Sequence, residues 1–161
     1  MKAPPLAQIK KELKYRSSEE LAELCVRLAR FKKENKELLA YLLFDVGDEA
    51  HYVKQVQEHI EERFQEINTT NFYYIKKSIP KILRVTKKYI RYSSVKETEV
   101  ELLLYFCQTL KDFRPSIQNN AALMRLYHNQ ISLIKRKLTT LHEDLQYDYR
   151  RVLEKLEENS L

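Results

Sequence analysis

Apolar residues recur every three or four positions along almost the whole chain, the spacing of helices rather than the alternation of strands. Leu21, Leu24, Leu28 and Phe31 step this way, and Leu38, Leu39, Leu42 and Leu43 resume the phase beyond a charged stretch, KKENKE. That stretch reads either as one exposed turn of continuous helix or as a break. Val53, Val56, Ile60, Phe64 and Ile67 mark a further amphipathic helix, and VELLLYFCQTL, apolar nearly all round, predicts the most buried one. The last segment keeps a 4-3 rhythm through Met124, Tyr127, Ile131, Ile134, Leu138, Leu141, Leu145, Val152 and Leu156, with Tyr149 offset by one. Such a seam predicts one long or kinked helix packed as in a coiled coil or bundle. A hairpin at Thr139–Thr140 is the alternative, with Thr140 and Glu143 capping a fresh helix.

Punctuation between these runs is sparse. Ser17 with Glu20, and Ser94 with Glu97, have the spacing of capping boxes. Gly47 follows LLAYLLFDV, where a helix end favours a residue that tolerates the left-handed conformation, and Asp48 offers the next N-cap. NTTN (68–71) and FRPS (113–116) are polar turns, Pro115 being unable to continue the preceding helix. These marks predict an all-α fold: one domain, residues 1–161, of about six or seven helices in an antiparallel bundle or short array. HEAT- or armadillo-like stacking is compatible with the helix lengths, although no repeat of fixed period marks it.

Composition supports this reading. One glycine and four prolines in 161 residues leave too few turn formers for a many-stranded sheet. A chain of this size buries roughly 70% of its unfolded surface, enough for a core without staples. Cys25 and Cys107 both sit in apolar helical runs and read as buried free thiols. LLAYLLF and LLLYFC are too short to span a bilayer, and MKAPPLAQIKKELKY lacks the apolar run of a signal peptide, so a cytoplasmic location is expected. The segment ELCVRLARFKKENKELLAYLLF resembles small uncharacterised all-helical bacterial proteins. That resemblance covers about the first third of the chain and implies no function.

Charge changes the picture most. The chain carries 29 Lys or Arg against 23 Asp or Glu, yet residues 67–95 hold seven basic residues and no acidic one. Without that stretch the remainder is net negative. On a helix over 72–92, Lys76, Lys77, Lys81, Arg84, Lys87, Lys88 and Arg91 fall within about 140° of arc. Phe72, Ile75, Ile79, Ile82, Leu83 and Ile90 occupy a separate arc of about 100°. Tyr73 points into the basic face, and Tyr74, Tyr89 and Tyr92 lie near its borders. A solvated helix usually mixes signs, because like charges at i,i+4 cost a few tenths of a kcal/mol each. Pro80, on the basic side, either kinks this helix or breaks it, with Ser78 capping the second part.

Two readings of the basic face stand side by side. In one it is a solvated surface partly paired with the acidic helix 48–66, whose Glu58, Glu62 and Glu66 lie opposite its apolar stripe. In the other it binds a polyanion, its cations neutralising phosphates and its tyrosines stacking on unpaired bases. The partner is then nucleic acid or an acidic protein surface; an anionic membrane fits poorly, since the core claims the apolar arc. The expected function is non-enzymatic binding through Lys76, Lys77, Lys81, Arg84, Lys87, Lys88, Arg91 and Tyr73. One alternative is a protein-interaction or self-assembly module, a homo-oligomer, working through the C-terminal seam. Another is a helical enzyme of unrecognised type. No cofactor or metal is expected. A single glycine excludes phosphate-cradling loops, and the residues three before His51, His59, His128 and His142 are Asp48, Val56, Arg125 and Thr139, so the Glu-x-x-His pattern of di-iron bundles is missing. His59 and His142 read as surface histidines, and neither cysteine has a base beside it.

Overall fold

The computed structural model describes residues 1–158. Every regular element among them is helical, and there are eight α-helices rather than six or seven. The chain divides into two compact units, Met1–Asp45 and Val46–Leu161.

The first unit holds α1 (Leu6–Leu13), α2 (Ser18–Phe31), α3 (Lys33–Ala40) and a π-helical turn, Tyr41–Asp45. The Ser17 capping box forms: Ser17 Oγ accepts from the Glu20 N–H at 3.2 Å, and the Glu20 carboxylate accepts from the Ser17 N–H at 2.8 Å. KKENKE is a break. Lys32 is extended at φ −143°, ψ 148°, and the Asn35 side-chain amide donates to the Leu28 carbonyl at 2.8 Å, folding α3 back onto α2. None of α1, α2 or α3 buries a side chain, and Cys25 is exposed, against the expectation of a buried thiol.

The second unit contains α4 (Glu49–Gln65), α5 (Phe72–Tyr92), α6 (Lys96–Asp112), α7 (Ala121–Leu138) and α8 (Glu143–Glu158). Its centre is α6, the VELLLYFC helix, which packs against all four others and buries Val100, Leu102, Leu103, Leu104, Phe106, Cys107 and Leu110. A helix apolar nearly all round must be covered on most sides, and each neighbour supplies one amphipathic face, while Gln108 and Asp112 stay exposed. Phe64 of α4 meets Phe106 at 5.6 Å and Phe113 at 5.7 Å between ring centroids. The Tyr52 hydroxyl donates to the Tyr89 carbonyl at 2.8 Å, fixing α4 to α5. The Glu49 carboxylate accepts from the hydroxyls of Ser93 and of buried Thr98, pinning the start of α4 to the α5–α6 turn.

Three local expectations are corrected. Asp48 caps α4 through the His51 N–H at 3.1 Å, but Gly47 has no positive φ, because the π-helical turn ends the preceding helix without a left-handed residue. Ser94 caps nothing: α6 starts one residue later, with Val95 as N-cap, and it is Ser93 Oγ that accepts from the Val95 N–H. The C-terminal seam is a hairpin, not one long helix. The Thr139 and Thr140 hydroxyls donate to the Arg136 and Lys137 carbonyls at 2.8 and 2.7 Å, giving those last carbonyls of α7 side-chain partners and so stabilising its end without glycine or proline. Tyr127, Ile131, Ile134, Leu138, Leu141 and Leu156 of the seam are buried, whereas Val152 is exposed and its neighbour Leu153 takes the inner position after the break. The end of α8 is tied down by the Tyr127 hydroxyl, which donates to the Leu156 carbonyl at 3.1 Å, and by Lys111, whose ammonium donates to the Lys155 carbonyl at 2.9 Å.

Glu49→Ala strips buried Thr98 of an acceptor and is expected to cost about 1–3 kcal/mol in urea unfolding, whereas Ser94→Ala changes stability by less than about 0.5 kcal/mol. Burial, aided by neighbouring carboxylates, raises Tyr105 and Tyr149 from the usual 10.0 to about 12. Burial does the same to Tyr127, and it raises the Cys107 thiol from 9.0 to about 12. All four are neutral when protonated, so above their ordinary values the unfolded chain loses protons that the folded one keeps. Their contribution is whole below about pH 9 and fades as pH rises towards 12. The urea midpoint is therefore expected to fall steadily between about pH 9 and pH 11.

Candidate polyanion-binding ridge

The basic stretch forms one uninterrupted helix, α5. Asn71 caps it through the Tyr73 N–H at 2.8 Å. Ile75, Ile79, Ile82 and Leu83 are buried, and so is Thr86, whose hydroxyl is satisfied by the Ile82 carbonyl at 3.0 Å. Thr86 is the core residue of this helix that polarity alone hides: a threonine enters an apolar stripe when its hydroxyl bonds back to its own helix. Phe72 and Ile90 are half-buried at the two ends.

With the stripe turned inward, the cations turn out. Lys76, Lys77, Lys81, Arg84 and Arg91 are exposed, and Lys87 and Lys88 are half-buried at the margins. At 1.5 Å per residue the row from Lys76 to Arg91 is about 22 Å long. Lys87 lies close enough to Cys107 for its charge to favour the thiolate, but burial outweighs it and the thiol stays protonated. Tyr73 is exposed, with the Lys77 ammonium 4.6 Å from its ring centroid and Tyr74 edge-on at 5.5 Å. At the other end the Lys88 ammonium sits 4.7 Å from the Tyr89 ring, which also meets Tyr92 at 5.9 Å and His59 at 5.5 Å. Tyrosines thus bracket the row of cations at both ends.

Three carboxylates of the acidic stretch 48–66 have partners off the ridge. Glu66 pairs with Arg63 of its own helix at 3.1 Å, Glu62 approaches His59 at 4.0 Å, and Glu61 accepts the Tyr105 hydroxyl from α6. Among the described residues no ion pair joins Lys76, Lys77, Lys81, Arg84, Lys87 or Arg91 to a carboxylate. The groove between α4 and α5, where Lys81 and Glu66 both lie, is open. A second groove of about 690 Å³ on the α4–α6 side has a floor of Phe64 and Phe113. Several of its polar groups are already engaged: Glu61 with Tyr105, Asp112 with Gln108 at 2.7 Å, and Arg114 with the carbonyls of Lys111, Asp112 and Phe113. Among the described residues no helix is long and apolar enough to cross a membrane, and no three His, Cys, Asp or Glu converge as metal ligands do.

Pro80 is exposed on the ridge, and the helix runs through it. Ser78 is therefore interior to the helix and caps no second one. A proline here leaves the Lys76 carbonyl without its N–H partner, a defect worth about 3 kcal/mol in a helix interior. Pro80→Ala is expected to stabilise the unit by about 1–3 kcal/mol in urea unfolding, part of the gain being lost to the freer unfolded chain.

Compared with protein families, curated proteins and solved structures, the chain matches none.

Proposed function

We propose that this chain is a non-enzymatic binding protein whose α5 ridge holds a polyanion, and that the polyanion is nucleic acid with unpaired bases. The supporting observation is the want of counter-charge: six cations on one helix face have no carboxylate partner among the described residues, although an acidic helix packs beside them. Like charges along a helix destabilise it, and Glu at alternate positions would relieve that at no cost to the core. A face kept this pure in sign is suited to releasing counterions from a phosphate backbone. Exposed Tyr73 and Tyr74 favour the single strand, because a base stacks on an aromatic ring only when it is free of its own stack. The ridge projects no loop or recognition element that reads base edges, so binding is expected to tolerate sequence. A cytoplasmic setting is part of the same proposal.

The test is fluorescence-anisotropy titration of labelled single-stranded and duplex oligonucleotides across a salt series. The comparison is a variant carrying Lys77→Glu, Lys81→Glu, Arg84→Glu and Lys88→Glu. Single strands are expected to bind more tightly than duplex, with a log–log salt slope of roughly −3 to −5 for about four to seven phosphates. The variant is expected to lose binding while keeping its helical circular dichroism. Absence of binding at low salt sinks the proposal. Capture of polyglutamate without capture of oligonucleotide would move the partner to an acidic protein surface.

A further inference from the structure

A second helix beside the ridge carries no acidic residue. Residues 113–142 hold Arg114, Arg125, Lys135, Arg136 and Lys137 and no Asp or Glu. α7 supplies four of these five cations and packs against α5. Both helices also pack on α6, and they meet it at one level: Lys87 of α5 and Tyr127 of α7 each lie near enough to Cys107 to interact with its charge. α4 holds one flank of α5, at Ser78, Lys81 and Ile82, which leaves Lys76, Leu83 and Lys87 on the flank towards α7. The flanks of α7 are settled by its own partners. Lys135 pairs with Glu157, so α8 lies on that side. Lys137 pairs with Glu99 of α6 at 2.8 Å on the other side, which α7 shares with half-buried Leu126 and Leu133 and turns towards α5.

Between those flanks α7 presents a row of its own to solvent. Arg125 and Arg136 are exposed and stand on one face, about 16 Å apart along the axis and about 20° apart around it. Exposed Asn129 and Ser132 lie between them on the same face. Among the described residues neither arginine has a carboxylate partner, whereas both lysines of α7 do. Packed helices lie about 8–10 Å apart, so this row runs one helix width from the lysines of α5. We infer that the unpaired nucleic acid held by the ridge crosses onto α7, where Arg125 and Arg136 grip its phosphates, an inference that rests on α5 binding nucleic acid at all. A lysine meets a phosphate as a point charge, whereas the fork of an arginine reaches two of its oxygens. α5 thus supplies most of the charge, and α7 supplies directional contacts that hold a flexible strand across both helices. These contacts too stop at the backbone, so they add affinity without reading sequence.

The experiment is the anisotropy titration of the full chain with single-stranded oligonucleotide across the salt series, run on Arg125→Ala, Arg136→Ala and Lys135→Ala. Each variant removes one positive charge at an exposed position and is expected to keep its helical circular dichroism. Arg136 and Lys135 are adjacent in sequence but face different ways. Arg125→Ala and Arg136→Ala are each expected to weaken binding about threefold to tenfold at low salt and to flatten the log–log salt slope by about 0.7. Lys135→Ala, on the α8 flank, is expected to change affinity by less than about twofold and to leave the slope unaltered. Equal effects of Arg136→Ala and Lys135→Ala would mean that net charge alone is felt, and they overturn the inference. Binding indifferent to both arginine variants overturns it too; if the quadruple α5 variant still abolishes binding, the ridge stands without α7. A wild-type chain that binds no oligonucleotide overturns the reading of the ridge and this inference together.

Discussion

The burial of α6 on all but one narrow edge is the constraint from which the second unit follows. Val100, Leu102, Leu103, Leu104, Phe106, Cys107 and Leu110 leave that helix only a narrow polar edge, from Glu101 to Asp112, so α4, α5, α7 and α8 pack around the rest of it. Once α5 gives its isoleucines to that contact, the rotation of the helix is fixed. The lysines and arginines face outward as a consequence, and what distinguishes the ridge is only that all its charges share one sign.

Polar contacts then decide details that hydrophobicity leaves open. Glu49 gathers the Ser93 and Thr98 hydroxyls and thereby sets where α6 begins, one residue past the capping-box spacing at Ser94. Tyr127 and Lys111 hold the last turn of α8 by its carbonyls, and Lys137 of α7 reaches Glu99 of α6 at 2.8 Å. These bonds are modest singly. Together they tie the start of α4, the start of α6 and the end of α8 to neighbouring elements, where helix ends carry unpaired backbone groups.

The first unit obeys different physics. Its helices have good local signals, including a complete capping box, yet little to bury against. None of its three α-helices buries a side chain.

The all-helical class, the central place of VELLLYFC, the Ser17 and Asp48 caps and the two faces of α5 were legible in the sequence, because each depends on residues within a turn or two of one another. The helix ends at Lys32 and Thr139 were visible only as alternatives that the sequence could not decide. Neither carries glycine or proline, and each break rests on side-chain bonds from Asn35, Thr139 and Thr140 that a periodicity cannot register. Cys25 shows the same limit: its apolar neighbours predict burial, but burial needs a partner surface, and no local pattern says whether one exists. The sequence alone determined the sign and the helical phase of the basic ridge. Only the tertiary structure decided that Glu61 of α4 meets the Tyr105 hydroxyl of α6, because those two residues are brought together in space and not along the chain, whereas the pairs Arg63–Glu66 and His59–Glu62 are neighbours on one helix.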